Sequence, residues 1–172
     1  AGAGPTRPLT RSVYWSGLRF FVVDQAAAPR YLIHAIADAD SAYAGADYAS
    51  AGAQYLAIAG NSALSDWKVD TGTGLGRNEL AAYARFRAGL SSLRLGAIGE
   101  ALTLFEGAYD NHPTSLMGIA SAVYLDQLQQ DATPTAACDV TERYLSTRAT
   151  EFAGIWDYGY ANPEHTITGI CR

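Results

Sequence analysis

The sequence predicts an all-α fold of about three stacked antiparallel helix hairpins, with an extended N-terminal arm and an irregular C-terminal tail. Three observations carry this. Apolar residues recur at helical spacing from Tyr31 to about Ala153. Turn signals cut that stretch into segments of similar length. Each segment has one apolar face that it cannot bury alone, which is the condition for stacking. At 172 residues, 49% of them hydrophobic, the chain is long enough for one good core.

Residues 1–29 differ from the rest. Ala1 to Pro8 is a Gly/Pro-rich lead without periodicity. Val13, Tyr14, Trp15, Leu18, Phe20, Phe21, Val22 and Val23 then crowd β-branched and aromatic residues together, the composition of an extended, strand-like arm. Left in water, eight such side chains would forfeit on the order of 10 kcal/mol, so a covering surface is expected.

Residues 30–153 form the expected helical region. Leu32, Ala35, Ile36, Ala39 and Tyr43 make one stripe and Tyr48, Ala51, Tyr55 and Ile58 the next, divided by Gly45-Ala46-Asp47. Residues 61–77 break the pattern as an inserted loop around Trp67, with Gly72, Gly74 and Gly76 near its end. Leu80, Tyr83, Phe86, Leu90 and Leu93 open a second hairpin; Ile98, Ala101, Leu102, Phe105 and Ala108 close it, and Asn111-His112-Pro113 stops it. The third pair runs through Leu116, Ile119, Ala120, Val123, Tyr124 and Leu128. It restarts at Thr133-Pro134, a cap followed by proline at the first helical position. Residues 154–172 form a tail in which Trp156, Tyr158 and Tyr160 are expected to close the open end of the last hairpin.

Composition narrows function. The formal charge of -5 and the absence of a basic run disfavour nucleic-acid and anionic-membrane surfaces, and no apolar stretch approaches the ~20 residues that cross a bilayer. Two cysteines, Cys138 and Cys171, both lie in the last third. They read as a disulfide pinning the tail to the last helical pair, with two free thiols as the alternative. An even cysteine count in a chain whose first residue is Ala1 points to export, extracellular or periplasmic.

Catalytic signals are thin. Asp70-Thr71-Gly72 matches the short aspartic-protease triplet, but that chemistry needs a second acid and an all-β frame; Asp70 is the one acid that keeps a hydrolase reading open. Gly72-Thr73-Gly74-Leu75-Gly76 lacks the preceding hydrophobic strand of a nucleotide-binding turn and reads as a loop. His34, His112 and His165 have no ligand spacing. The expectation is a non-enzyme without cofactor or metal.

The middle unit, Tyr83 to Pro113, carries Gly89 and Gly96 at close-packing and turn positions, Ala101, Phe105 and Ala108 on its second helix, and the terminal Pro113. In this it resembles the tetratricopeptide repeat family, with Arg85 and Ser92 as departures. The flanking units follow the pattern more loosely. The resemblance implies a concave, groove-lining face at Tyr83, Phe86, Leu90 and Arg94, and at Met117, Ala120 and Tyr124. It implies a protein-binding role: the arm docks on helical repeats, its own or those of a neighbouring copy in a homopolymer. The alternative is a monomeric adaptor that holds another protein's peptide.

Overall fold

The computed structural model describes residues 2–70, 76–130 and 132–171. After an extended lead come strands β1 (Leu9–Trp15) and β2 (Phe20–Ala26), then helices α1 (Leu32–Ala44), α2 (Tyr48–Gly60), the single turn α3 (Trp67–Asp70), α4 (Gly76–Arg94), α5 (Ile98–Asn111), α6 (Leu116–Gln129), α7 (Pro134–Ser146) and α8 (Ala149–Trp156). A 3₁₀ turn at Ile167–Gly169 lies in the tail. Thr71 to Leu75, and with them most of the protease-like triplet and the glycine turn, lie outside the described residues.

The expected single arm is a β-hairpin. β1 and β2 pair antiparallel from Leu9↔Ala26 to Trp15↔Phe20, reversed by Ser16-Gly17-Leu18-Arg19. Gly17 takes a φ of 92°, and Ser16 Oγ accepts from the amides of Leu18 and Arg19. The apolar run has to fold back because one extended strand would leave its backbone donors and acceptors unpaired. At the neck Ala27 N donates to Pro8 O at 2.9 Å, and Arg7 pairs with Asp38 of α1 at 2.6 Å.

The helices stack in chain order. α1 packs on α2, α2 on α4, α4 on α5, α5 on α6 and α6 on α7, while α4 also reaches α1, α6 and α8. α4 is therefore the axis of the core. It buries Leu80, Ala82, Tyr83, Ala84, Phe86, Ala88 and Leu90, a width no surface helix shows. Thr133 is the expected cap, accepting from Ala136 N with Pro134 in the first turn, and Asp47 of the expected turn also caps α2, accepting from Ser50 N. α6 begins under two acceptors. Glu79 of α4 receives Leu116 N at 2.8 Å and Met117 N at 2.9 Å, and Ser115 Oγ receives Gly118 N, so its first orphan donors are met. α8 carries the helical region on to Trp156, past the expected boundary at Ala153; Lys68 Nζ holds it there, donating to Gly154 O at 2.6 Å and Ile155 O at 2.7 Å, where a cation suits a helix C-terminus.

Two substitutions probe this packing. A methyl group on Gly89 would stand 2.5 Å from Cε1 of Phe105, whose ring is wedged between Phe86 and Tyr124. Gly89→Ala is expected to destabilise the fold by about 1–3 kcal/mol in chemical denaturation. Ala46, between α1 and α2, has a φ of 61°, a region that glycine takes at the matching turn at Gly96, φ 77°. Ala46→Gly is expected to raise stability by roughly 0.5–1 kcal/mol in the same assay.

Candidate functional site

Two surfaces have a claim to function: the face built by the first helix of each pair, and the hairpin. On the first, Tyr83, Arg87, Leu90 and Arg94 form one stripe of α4, spaced by four, three and four residues. Asp40 and Tyr43 flank it from α1 and Tyr124 from α6. The C-terminal tail lies across this stripe.

Asp40 is the node. Its Oδ1 accepts from the hydroxyls of Tyr55 and Tyr83, the latter at 2.8 Å. Its Oδ2 faces His165 Nε2 at 2.9 Å, and Arg87 Nε stands 3.8 Å away. Burial pushes the Asp40 carboxyl up, but the hydrogen bonds from His165 and Tyr55, together with the His165 and Arg87 charges, outweigh it and hold the group below its ordinary range. Tyr83 and Tyr55 move up, first because they are buried and then because of the Asp40 charge, so both stay neutral donors. Arg87, 4% exposed, lies 3.8 Å over the Tyr43 ring and donates to Ile170 O at 3.1 Å.

The rest of the tail is fastened along its length. Trp156 stacks on His165 with ring centres 3.7 Å apart, and Tyr83 meets Trp156 edge-on at 4.7 Å. Tyr158 donates to Asp66 Oδ1 at 2.9 Å. Asn162 Nδ2 donates to Pro5 O at 3.3 Å, and His34 Nε2 also reaches Pro5 O, at 3.2 Å. Gly4 and Gly159, with φ of 76° and 82°, cross there so closely that a Cβ on either would overlap the other segment's backbone. Finally Cys138 of α7 is bonded to Cys171, with Cα atoms 6.0 Å apart. A cross-link spanning 33 residues restricts the unfolded chain by roughly 3–4 kcal/mol in the loop-entropy picture.

The seven residues expected to line an open groove divide accordingly. Tyr83, Phe86, Met117 and Ala120 are buried within the core: Tyr83 lies beneath Trp156 and His165, and Phe86 is shut in by Phe105 and Tyr124. Where an open groove is expected, the chain's own tail covers Tyr83, and it runs back across α4 and α1 instead of only closing the last hairpin. Leu90 and Tyr124 are buried as well, so of the seven positions Arg94 alone is exposed; these three border a cavity of about 300 Å³ beside Cys171. Asp139 and Glu142 of α7 form one wall of it, and Arg94, which donates to the Tyr43 hydroxyl at 3.4 Å, stands on another. His165, whose spacing argues against a ligand role, serves as a structural partner of Asp40. Asp40 and Arg87 are singled out by no motif, although both are charges set inside otherwise apolar helical stripes.

The second surface is the hairpin. Val13, Tyr14, Trp15, Leu18, Phe20, Phe21, Val22 and Val23 are all exposed, from 44% at Phe21 to 91% at Leu18. Residues that alternate along a strand share a face, so Val13, Trp15, Phe20 and Val22 stand together with the Arg11–Asp24 ion pair, and Tyr14, Phe21 and Val23 stand opposite. Polar pairs gather at the base and aromatic pairs at the tip, where Trp15 meets Phe20 at 4.8 Å and Tyr14 stacks on Phe21 at 5.4 Å.

Among the described residues no helix is long and apolar enough to cross a membrane, and no cluster of three or more His, Cys, Asp or Glu could hold a metal ion. No protein-family model, no curated protein and no solved structure matches the chain.

The Asp40 node predicts an acid dependence. Because its folded-state value is depressed, the stabilisation it contributes is complete above the ordinary carboxylate range and disappears as pH falls through the lower folded value. Asp40→Asn is expected to cost roughly 2–4 kcal/mol at neutral pH, by leaving buried donors and Arg87 without their anion. Urea denaturation across pH should show the variant's acid limb flatter than that of the parent chain.

Proposed function

We propose that the protein is a non-enzymatic interaction module of tetratricopeptide-like helical hairpins that assembles by inserting its apolar N-terminal hairpin into a neighbouring copy. The observation that carries this reading is the projecting hairpin, with large apolar side chains on both faces and at its tip, uncovered by the rest of the chain. Exposed apolar surface of this extent marks a contact surface, and covering it recovers on the order of 10 kcal/mol. A two-stranded hairpin is marginal alone in water, which strengthens the case for a partner. The stacked order of the helices and the close approach of Gly89 to Phe105 support the family reading.

A contact between a hairpin and a different surface is heterologous, so it closes into a ring or continues as a filament. The disulfide suits an oxidising compartment and hence export. A second reading, an adaptor for another protein's peptide, draws on the tail: the first-helix face already holds an extended segment of this chain, and a foreign peptide would have to displace it. For a hydrolase there is only Asp70 at the end of α3, since Asp40 spends its acceptors on Tyr55, Tyr83 and His165.

The hairpin can be removed without disturbing its surroundings, because Pro8 O and Ala27 N are already bonded at its neck. Excision of Leu9–Ala26, with Pro8 joined to Ala27 through two glycines, is expected to leave helicity and thermal stability intact. Multi-angle light scattering should then find a monomer where the full chain gives a higher mass. Equal masses for the two chains would end the self-assembly reading.

A further inference from the structure

Other cavities lie apart from the one beside Cys171. A cavity of about 280 Å³ and one of about 400 Å³ are walled by the tail itself, including His165, and belong to its seat. A cavity of about 260 Å³ lies between α1 and α2 and carries Asp38, whose charge Arg7 already answers. The cavity of about 300 Å³ differs in setting two carboxylates, Asp139 and Glu142, beside the accessible apolar side chains of Leu93 and Pro134.

Resting on the assembly reading above, we infer that this cavity is the receptor for the hairpin tip of a second copy, with Leu18 seated against Leu93 and Pro134 and Arg19 facing Asp139 and Glu142. The tip offers the complementary pair. Leu18 is the most exposed large apolar side chain of the hairpin, at 91%, and the next residue is a cation. Arg11, the other arginine of the hairpin, is already neutralised by Asp24 at 2.7 Å, so Arg19 is the charge left to meet an acidic wall. Arg94 also lines the cavity and would repel Arg19, so in this reading the cation enters toward the carboxylates of α7.

The exposure of Leu18 shows that the tip does not sit in its own chain's cavity. The occupant is therefore another molecule, and tip and cavity are different surfaces, as a head-to-tail contact requires. The acidic wall steers the approach and selects the orientation more than it adds affinity; the apolar side chains of the tip supply the affinity.

Charge exchange tests this, because all three residues lie away from the core. Arg19→Glu alone, and Asp139→Arg with Glu142→Arg, are each expected to weaken assembly at least tenfold, measured as the concentration for half-assembly by light scattering at low salt. The triple variant is expected to recover most of that loss. A second readout does not depend on the acidic variants folding well. The chain has no free cysteine among its described residues, so Leu18→Cys and Thr135→Cys, on separate chains and mixed under mild oxidation, should cross-link faster than Leu18→Cys with Asn61→Cys, which reports on the cavity between α1 and α2. Hairpin excision that abolishes assembly, combined with charge variants that assemble like the parent or cross-links that favour Asn61→Cys, would overturn this receptor and leave the assembly reading standing. Excision without effect on mass would remove both.

Discussion

A carboxylate withdrawn from water has to be matched by donors and cations, and the position of Asp40 makes that requirement the organising constraint of this protein. Tyr55 comes to it from α2, Tyr83 and Arg87 from α4, and His165 from the tail. Each of these groups would be costly to bury alone. Meeting at one point, they fix the angle at which α1 and α2 lie on α4 and the path of the tail across them. Trp156 then has a planar partner in His165, and Arg87 has a further acceptor in Ile170 O. The disulfide at Cys171 secures what the Asp40 node has already placed.

This arrangement exchanges the roles that hydrophobicity alone suggests for the two ends of the chain. The greasy N-terminal segment, which by composition should seek cover, projects from the helices. The mixed, proline-containing tail is the one that lies across α4 and α1. The reason is polar matching: the tail supplies a histidine, a tyrosine hydroxyl and backbone carbonyls to a face that carries Asp40, Asp66 and Arg87. In the hairpin Arg11 and Asp24 satisfy each other, Ser16 is used within the turn, and the charge of Arg19 stands at the tip, away from the neck. The hairpin's apolar side chains stay exposed to solvent.

What was legible beforehand was local. Thr133-Pro134, Asn111-His112-Pro113 and Gly45-Ala46-Asp47 mark helix ends by chemistry that acts within a few residues, and those ends lie where the sequence places them. The cysteine count pointed to the Cys138–Cys171 pairing. The hairpin was legible as extended but not as doubled back, because Gly17 is the lone strong turn signal inside an apolar run, and the pairs Arg11↔Asp24 and Tyr14↔Phe21 become visible only once the turn is set. The course of the tail was not legible. Its hydrogen-bonded anchors join residues 83 to 159 positions apart, as in Arg87 to Ile170, Asp40 to His165 and Ala3 to Asn162, and no periodicity encodes such a distance. The groove positions at Tyr83, Phe86, Met117 and Ala120 were drawn from a pattern that cannot say whether the chain fills its own groove.

The clamp between the two ends has a consequence for timing. Asn162 bonds Ala3 O across 159 residues and Pro5 O across 157, whereas the helices meet mostly their sequence neighbours. Contacts between neighbours close quickly, and those that span the whole chain close last. During synthesis the helical stack can thus form while the residues around Asn162 and Cys171 are still unmade, leaving Tyr83, Arg87 and Asp40 briefly open to water. In that interval the nascent protein offers a chaperone a face that the finished one keeps shut.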